Sequence, residues 1–323
     1  LEHSYLPGQP LISIITPSFN QGRFITETIQ SVLSQHYQHV EYIVVDGGSR
    51  DGTVDVLRRY GDRLRWLSEP DRGQSHALNK GWRMARGEIL GWLNSDDTYR
   101  SGAVQAIVEA FLLHPEVGGI YGDCDYMSAT GAFLEKYETG PFDYETFLRT
   151  SRSPIPQPSM FIRRSVYEQI GPVDESLRLV MDWEYWLRVG MHYPILYLPQ
   201  TLATYRVHGS SKSATESLRY GEETVRVYRE LFANPRLPER LCRYEKEAMN
   251  NVLLQAAKYA FDGACLKEAR RYLIEGWKMR PFNIRRFMPK IFVVSFLGKR
   301  GWSAWMRFRR WRGAKLGVFE SMS

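Results

Sequence analysis

Leu93-Asn94-Ser95-Asp96-Asp97, directly after the apolar run Glu88-Ile89-Leu90-Gly91-Trp92, places two adjacent carboxylates at the end of a short buried segment. A run of that length reads as a strand. Acids at a strand's end lie outside the carboxyl edge of the sheet, where open α/β sheets bind ligands. Side by side the two charges repel, and each raises the other's pKa unless a cation sits between them. Hard divalent cations such as magnesium or manganese take oxygen ligands and share their shell with substrate phosphates. The stretch therefore predicts a metal–diphosphate site. The alternative for an isolated pair is a solvated Asp-Asp turn.

Outward from this stretch, residues 11–122 alternate strand and helix. Strands are expected at Leu11–Thr16, Glu41–Val45, Arg63–Leu67, Glu88–Leu93 and Val117–Tyr121. Helices are expected at about 24–33, after Gly47-Gly48-Ser49, at about 74–85 and at 103–113. Short connections between alternating elements imply a mostly parallel sheet covered by helices on both faces. Residues 123–213 are less regular and carry Pro141, Pro154, Pro156 and Pro158, so they read as a second half closing over the first. From Ala214 the pattern is helical, with stretches to about Phe232, over Glu239–Phe261 and over Leu266–Met279. The last pair turns at Asp262-Gly263 and looks like a tetratricopeptide-type hairpin or a plain helical cap.

A chain of 323 residues, 43% hydrophobic and 24% charged, is long enough for one large α/β domain with a smaller appendage. Cys124, Cys242 and Cys265 are scattered without metal-ligand spacing, which fits a reducing compartment and argues against a disulfide framework or zinc site. No secretory leader is legible, although the opening Leu1-Glu2-His3 leaves a trimmed N-terminus open. The apolar run Ile291–Leu297 is too short to span a bilayer. The net charge of +7 is concentrated at the end: residues 281–323 hold ten Lys and Arg against a single acid, Glu320, with nine aromatics among them.

Three motifs occur in order: Ile12-Ser13-Ile14-Ile15-Thr16-Pro17-Ser18-Phe19-Asn20, Ile43-Val44-Val45-Asp46-Gly47-Gly48-Ser49-Arg50-Asp51-Gly52-Thr53, and Leu93–Asp97. Together they resemble the family-2 inverting glycosyltransferases over about residues 10–213. That resemblance implies an α/β fold of the GT-A type, a Rossmann-like and mostly parallel sheet flanked by helices, here with a C-terminal α-helical extension. The implied divisions are a transferase domain at 1–213, a helical cap at 214–280 and a basic aromatic tail at 281–323.

The resemblance also distributes roles. Asp46 ends a strand before two glycines, so its carboxylate can accept from a nucleobase N–H while the backbone comes close to a flat ligand; the other reading is a helix cap. Relatives often carry a second acid at the position of Gly47. Thr16, Pro17 and Phe19 are expected to line the base and ribose pocket, with Asn20 as a turn residue. Arg72, in Glu69-Pro70-Asp71-Arg72-Gly73, is expected at the diphosphate, or else in a surface ion pair. Many relatives have Asp where this chain has Asn94, so metal binding falls chiefly to Asp97, with Asp96 on the ribose or a metal-bound water. In Met181-Asp182-Trp183-Glu184, Asp182 matches the catalytic base, and surrounding aromatics would raise its pKa as that role requires. Gln157 and Trp183 are expected on the acceptor side. His208, in Tyr205-Arg206-Val207-His208-Gly209-Ser210-Ser211, matches a residue that returns to the metal or diphosphate.

The expected reaction moves a sugar from a nucleoside diphosphate donor, UDP-sugar favoured, to a hydroxyl of a saccharide or lipid-linked saccharide, with Mn2+ or Mg2+ as cofactor and no nucleic-acid partner. Rival readings are a non-catalytic nucleotide-sugar or membrane-docking scaffold, and a nucleotidyltransferase, for which residues 16–23 offer only Gly22 and Arg23 as a phosphate loop. A processive synthase is disfavoured, since the Gln-x-x-Arg-Trp signature is absent. In the tail, Trp302, Trp305 and Phe308 recur every three residues, which suits an interfacial helix on an anionic membrane surface; the alternative is that they pack on the helical cap. The protein is accordingly expected in the cytoplasm, peripheral on the inner face of the plasma membrane.

Overall fold

The computed structural model describes residues 9–209, 216–281, 283 and 288–316, with side chains to residue 307. Leu1-Glu2-His3, Ser210, Ser211, Arg285, Arg286 and the side chains of Phe308 and Trp311 lie outside the described residues. The chain divides into two compact units, Leu1–Phe147 with Arg152–Gly209, and Leu148–Ser151 with Ser210–Ser323. The basic tail thus belongs to the same unit as the helices before it.

The first unit is built on one sheet. Strands β1 (Ile12–Ser18), β2 (Val40–Asp46), β3 (Arg65–Ser68) and β4 (Ile89–Trp92) lie parallel in the order β3-β2-β1-β4. The parallel pairing expected from strand–helix alternation governs this half. Beyond it the sheet is mixed. A strand at Met160–Arg163 runs antiparallel to β4 and to the strand at Gly119–Ser128. In chain order the remaining strands are β5 (Thr98–Tyr99), β6 (Gly119–Ser128), β7 (Phe133–Lys136), β8 (Met160–Arg163) and β9 (Ile195–Val207). β9 is parallel to β6 and carries β5 antiparallel on its other side, while β7 pairs with β6.

Why these residues become strands is visible in their burial. Every residue of β1, and every residue of β2 after Val40, is buried, as expected for parallel strands covered on both faces. The covering helices include α1 (Ile25–Leu33), α2 (Thr53–Arg59), α3 (Gln74–Met84) and α4 (Ala103–Leu113). Ile25, Thr28, Ile29 and Val32 form the buried stripe of α1 at helical spacing. The second half of the unit adds α5 (Tyr144–Thr150), which runs on into Leu148–Ser151, then α6 (Arg164–Ile170) and α7 (Met181–His192).

The start of β4, which carries the acid stretch, is pinned by a buried polar cluster. Ser13 Oγ donates to Glu41 Oε2 (2.6 Å) and accepts from Gly87 N (2.8 Å). Glu41 also accepts from Arg65 Nη1 (2.6 Å) and from Arg86 N (2.7 Å) and Nε (2.8 Å). The fit at Gly87 is tight, because a Cβ there would stand 2.5 Å from Ser13 N and 2.8 Å from Leu11 O.

In the second unit, α8 (Ser217–Ala233), α9 (Glu239–Cys242), α10 (Glu245–Asp262) and α11 (Leu266–Met279) precede α12 (Met288–Leu316). α10 and α11 form a hairpin in which Asn250 Nδ2 donates to Gly276 O (2.6 Å). Leu148–Ser151 joins this unit through Tyr228 Oη to Leu148 O (2.8 Å) and Asn251 Nδ2 to Arg149 O (2.7 Å).

Gly87→Ala should destabilise the protein by about 1–3 kcal/mol, the range for overpacking, because Ser13 N and Leu11 O are backbone atoms that cannot rotate away and Ser13 Oγ is held by Glu41. Urea denaturation should show a lower midpoint with an unchanged slope.

Candidate active site

The ends of β1, β2, β4 and β9 converge on one set of polar side chains. At the end of β4, Asn94 is the centre of a closed network. Its Oδ1 accepts from Trp92 Nε1 (2.9 Å) and Gln74 Nε2 (2.6 Å), and its Nδ2 donates to Asp97 Oδ2 (3.2 Å) and Gln157 Oε1 (2.7 Å). An aspartate could make the first two contacts only as an acceptor and would have no N–H for the other two. This is the physical reason for Asn at a position where relatives often have Asp.

Asp97 is buried to 1% exposure, and its carboxyl is pushed well above the usual range, first by burial and second by the neighbouring Asp96. Besides Asn94, Arg206 N donates to its Oδ1 (2.9 Å), and Thr28 Oγ1 on α1 donates to its carbonyl (2.8 Å). Asp96 faces the other way. Its Oδ2 lies 2.9 Å from His208 Nε2, and the imidazole rests against Phe24 with ring centroids 4.9 Å apart. The expectation paired His208 with Asp97; the geometry puts Asp96 beside it, and Asp97 behind.

Arg206, which sequence reasoning misses, organises the whole corner. Its side chain is fully buried. Nε donates to Asp96 O (2.7 Å), Nη2 to Glu27 Oε2 (2.5 Å), and the guanidinium stacks over Phe24 at 4.9 Å. The signal for it lies in strand periodicity: residues 206 and 208 fall on one face of a strand, so a residue that orients His208 is to be sought two positions before it.

Among the described residues no group of three or more His, Cys, Asp and Glu side chains is gathered as a metal cage. Asp96 and His208 are nevertheless a donor set that fits magnesium or manganese, which commonly take one or two protein ligands and complete their shell from phosphate oxygens and water.

At the end of β2, Asp46 is fully buried. Its Oδ2 accepts from Gly48 N (3.1 Å), Ser49 N (2.9 Å) and Ser68 Oγ (2.7 Å), and its Oδ1 from Ser49 Oγ (2.5 Å). A nucleobase would reach it by displacing one of the two hydroxyls. Asp46 does not cap α2: its N-cap is Gly52, and the first N–H of the helix, that of Thr53, is taken by Asp51 Oδ1 (3.1 Å). Asn20 takes a left-handed turn conformation (φ 54°), and its Oδ1 accepts from Arg50 N (3.0 Å), so the loops after β1 and β2 are tied together. Gly47 has a partner that sequence reading passes over: a Cβ there would stand 2.6 Å from Asp71 Oδ2. Glycine at 47 thus leaves room for a carboxylate arriving from the loop after β3.

The other expected nucleotide residues are dispersed. Thr16 is buried and bonds Tyr42 Oη (3.1 Å), and Pro17 is buried with it, while Phe19 is largely exposed. Arg72 is held by Glu175 in an ion pair, as its alternative reading has it. On the acceptor side, Gln157 is a brace whose Nε2 donates to Trp92 O (2.7 Å). Trp183 is buried edge-on against Phe147 at 5.4 Å.

Asp182 sits in the first turn of α7. Burial lifts its carboxyl to about 6, against the opposing pull of the N–H groups of Trp183 and of Asp182 itself. It keeps a partly accessible edge. Its charge is felt by Tyr137, which is also within reach of Cys124, and Cys124 in turn feels Asp97.

The chain matches the family model described as glycosyl transferase family 2 over residues 13–171. It is 30% identical over 231 residues to the putative teichuronic acid biosynthesis glycosyltransferase TuaG of Bacillus subtilis, covering 69% of this chain and 89% of that protein. It is 28% identical over 207 residues to a Mycobacterium bovis PGL/p-HBAD biosynthesis glycosyltransferase, covering 62% of this chain and 78% of that one. An uncharacterised glycosyltransferase of Rickettsia felis is 29% identical, and this chain spans about a third of it: 63% of this chain matches 35% of that one. Among solved structures, Staphylococcus aureus TarS in complex with UDP-GlcNAc superposes with a TM-score of 0.64 at 15% identity, over 83% of this chain and 81% of that one. The mannosyltransferase PcManGT of Pyrobaculum calidifontis, in complex with GDP-Man and Mn2+, superposes at 0.59 with 20% identity, over 91% and 87%. The chain belongs to glycosyl transferase family 2, and its fold is that of the GT-A glycosyltransferases.

Asn94→Asp tests the network directly. It should set a second carboxylate against Asp97 and leave Gln157 Oε1 without its donor, at a cost of about 1–3 kcal/mol. Mutual repulsion raises the folded-state pKa of one of the two acids further, so the loss should grow as pH rises through that pKa and shrink in acid. Melting curves of both proteins at pH 5 and pH 8 give the comparison.

Proposed function

We propose that this chain is an inverting, metal-dependent glycosyltransferase that moves a sugar from a nucleoside diphosphate donor, UDP-sugar favoured, to an acceptor hydroxyl in bacterial polysaccharide or glycolipid assembly. The observation that carries the reading is Asp182, a carboxyl in the first turn of α7 that burial lifts to about 6, in the same unit as the acid pair that meets His208. A general base works best with a pKa near the working pH, and burial supplies that shift.

Asp182 takes the proton of the acceptor hydroxyl as its oxygen attacks the anomeric carbon from the face opposite the diphosphate. The bond from that carbon to the diphosphate oxygen breaks, its electron pair leaves with the nucleotide, and the configuration inverts. Asp96 and His208 would hold Mn2+ or Mg2+, with Asp97 behind them; the ion would offset the charge of the departing diphosphate. Asp46 would accept from the base in place of Ser49 or Ser68, and Asp71, filling the space beside Gly47, is the carboxylate offered to the ribose. The relatives named for teichuronic acid and PGL/p-HBAD biosynthesis support a saccharide or glycolipid acceptor.

Two measurements test this. Asp182→Asn should lower the transfer rate by roughly a hundredfold or more while donor affinity stays nearly unchanged. In the unmodified enzyme kcat/KM should fall about tenfold per pH unit below about 6, because only the ionised carboxylate accepts a proton, and the residual rate of the Asn variant should lack that limb. A collapse of donor affinity instead would make Asp182 structural. For the metal, chelation should abolish transfer, and Asp96→Ala, Asp97→Ala and His208→Ala should each weaken UDP binding in the presence of Mn2+ when followed by calorimetry. Full activity of metal-free protein in chelator would remove the cation from the mechanism.

A further inference from the structure

The helical unit turns one side of its last helix inward and leaves the other bare. In the first part of α12, Met288, Ile291, Val294 and Ser295 are buried, whereas Phe292, Val293, Phe296 and Leu297 are between 44% and 63% exposed. Positions 292, 293, 296 and 297 cover one side of a helix, opposite the buried stripe. The helix then kinks at Gly298, whose φ of 67° and ψ of −166° only glycine adopts readily, and a second segment continues to Leu316.

Beyond the kink, Trp302 and Trp305, two of the residues expected at an interface, are half-buried. Trp302 Nε1 donates to Phe261 O at the end of α10 (2.7 Å), and Trp305 lies under the ammonium of Lys290 at 5.4 Å. The Trp302 bond ties the second segment to α10, while Trp305 is engaged by the first segment of its own helix. The bare ridge is the Phe292–Leu297 side instead. It extends toward α11, where Arg270 lies over the Phe296 ring at 3.9 Å and donates to Ser295 O (2.6 Å). Ile274 and Trp277 follow Arg270 on the same face of α11 at helical spacing, and both are exposed.

The two helices that carry this ridge also carry exposed cations. Lys278, Lys290, Lys299, Arg300 and Arg307 are exposed, and the only acid in residues 281–323 is Glu320. On the facing stretch of α11, Glu275 is taken up by Arg229. Among the described residues no helix is long and apolar enough to cross a membrane.

We infer that the ridge Phe292–Val293–Phe296–Leu297, with Trp277 beside it and the basic residues of the same two helices, is a docking surface for the anionic face of a lipid bilayer, the apolar side chains entering the headgroup boundary and the Lys and Arg residues meeting lipid phosphates. The charge selects the occupant. A second copy of this chain would bring another excess of cations to the same ridge, whereas an anionic bilayer neutralises it. An apolar helix face with a cationic rim is the form that interfacial helices take. The segment is held in place before any lipid arrives, because the Trp302 bond and the buried Ile291 stripe already fix it.

The test uses the full chain and flotation with vesicles of phosphatidylcholine alone or mixed about equally with phosphatidylglycerol. Binding to the anionic vesicles is expected at low salt, weakening as salt is raised. Phe296→Glu with Leu297→Glu should reduce it at least about tenfold, and Lys299→Gln with Arg300→Gln should reduce it roughly thirtyfold on anionic vesicles only. Trp277→Glu lies on a different helix and should also weaken binding, which keeps the test decisive if the double Glu variant fails to fold. Absence of flotation by the unmodified protein at low salt, or equal flotation of all variants, overturns the inference. So does sedimentation of the unmodified protein as a dimer that Phe296→Glu with Leu297→Glu dissociates, since a second copy would then own the ridge. The experiment needs neither donor nor acceptor, so its failure leaves the transferase reading standing.

Discussion

Asp96 and Asp97 are neighbours in the chain and repel, and much of the transferase unit is arranged around keeping them together. Removed from water, that repulsion is stronger than at a surface. The fold answers it by separating their surroundings. Asp97 is enclosed and given neutral partners, the amide of Asn94 and the backbone N–H of Arg206. Asp96 is turned toward the partly open side with His208. The guanidinium of Arg206 contributes its charge from behind, through the carbonyl of Asp96 and through Glu27, without occupying either carboxylate. A positive group placed directly on the acids would have competed with a cation for them.

The framework of the first half was legible because parallel strands buried on both faces are nearly continuous apolar runs, and the helices between them keep a 3.6-residue period. The strands at Val40–Asp46 and Ile89–Trp92 and the helix at Ala103–Leu113 fall within a residue or two of the positions read from that pattern. The mixed half was not legible in the same way. The strand at Met160–Arg163 is four residues long and runs antiparallel between two others, and nothing local to Met160-Phe161-Ile162-Arg163 states its direction. Direction there follows from the connections, and these are prolines and irregular turns.

The site divided along a similar line. Residue types and order pointed to Asp46, Asp96, Asp97, Asp182 and His208, and the structure gathers the acid pair with His208. What a sequence does not carry is which way a side chain faces after the strand ends. That is why His208 meets Asp96 and not Asp97, and why Thr16 bonds Tyr42 in the interior. Gln157 and Trp183, which the resemblance places at the acceptor, are found bracing Trp92 and Phe147. Arg206 and Asp71 escape a sequence reading for one reason: each acts across the fold, on residues far away in the chain, and in the sequence each looks like an ordinary surface charge.

Burial acts on two acids of this unit and leads to different chemistry. Both Asp97 and Asp182 are lifted by desolvation, but Asp97 has a second carboxylate beside it and Asp182 has none. On the proposed reading, an isolated carboxyl lifted to about 6 can alternate between ionised and protonated near neutrality, as proton transfer requires. With only the partly exposed Asp96 and the adjoining His208 to offer, most of the shell of a magnesium or manganese ion would come from water and diphosphate oxygens. Metal and donor would then bind as one unit, each completing the site for the other, and the neutral Asn94 strengthens that dependence by removing a charge that could have held the ion alone.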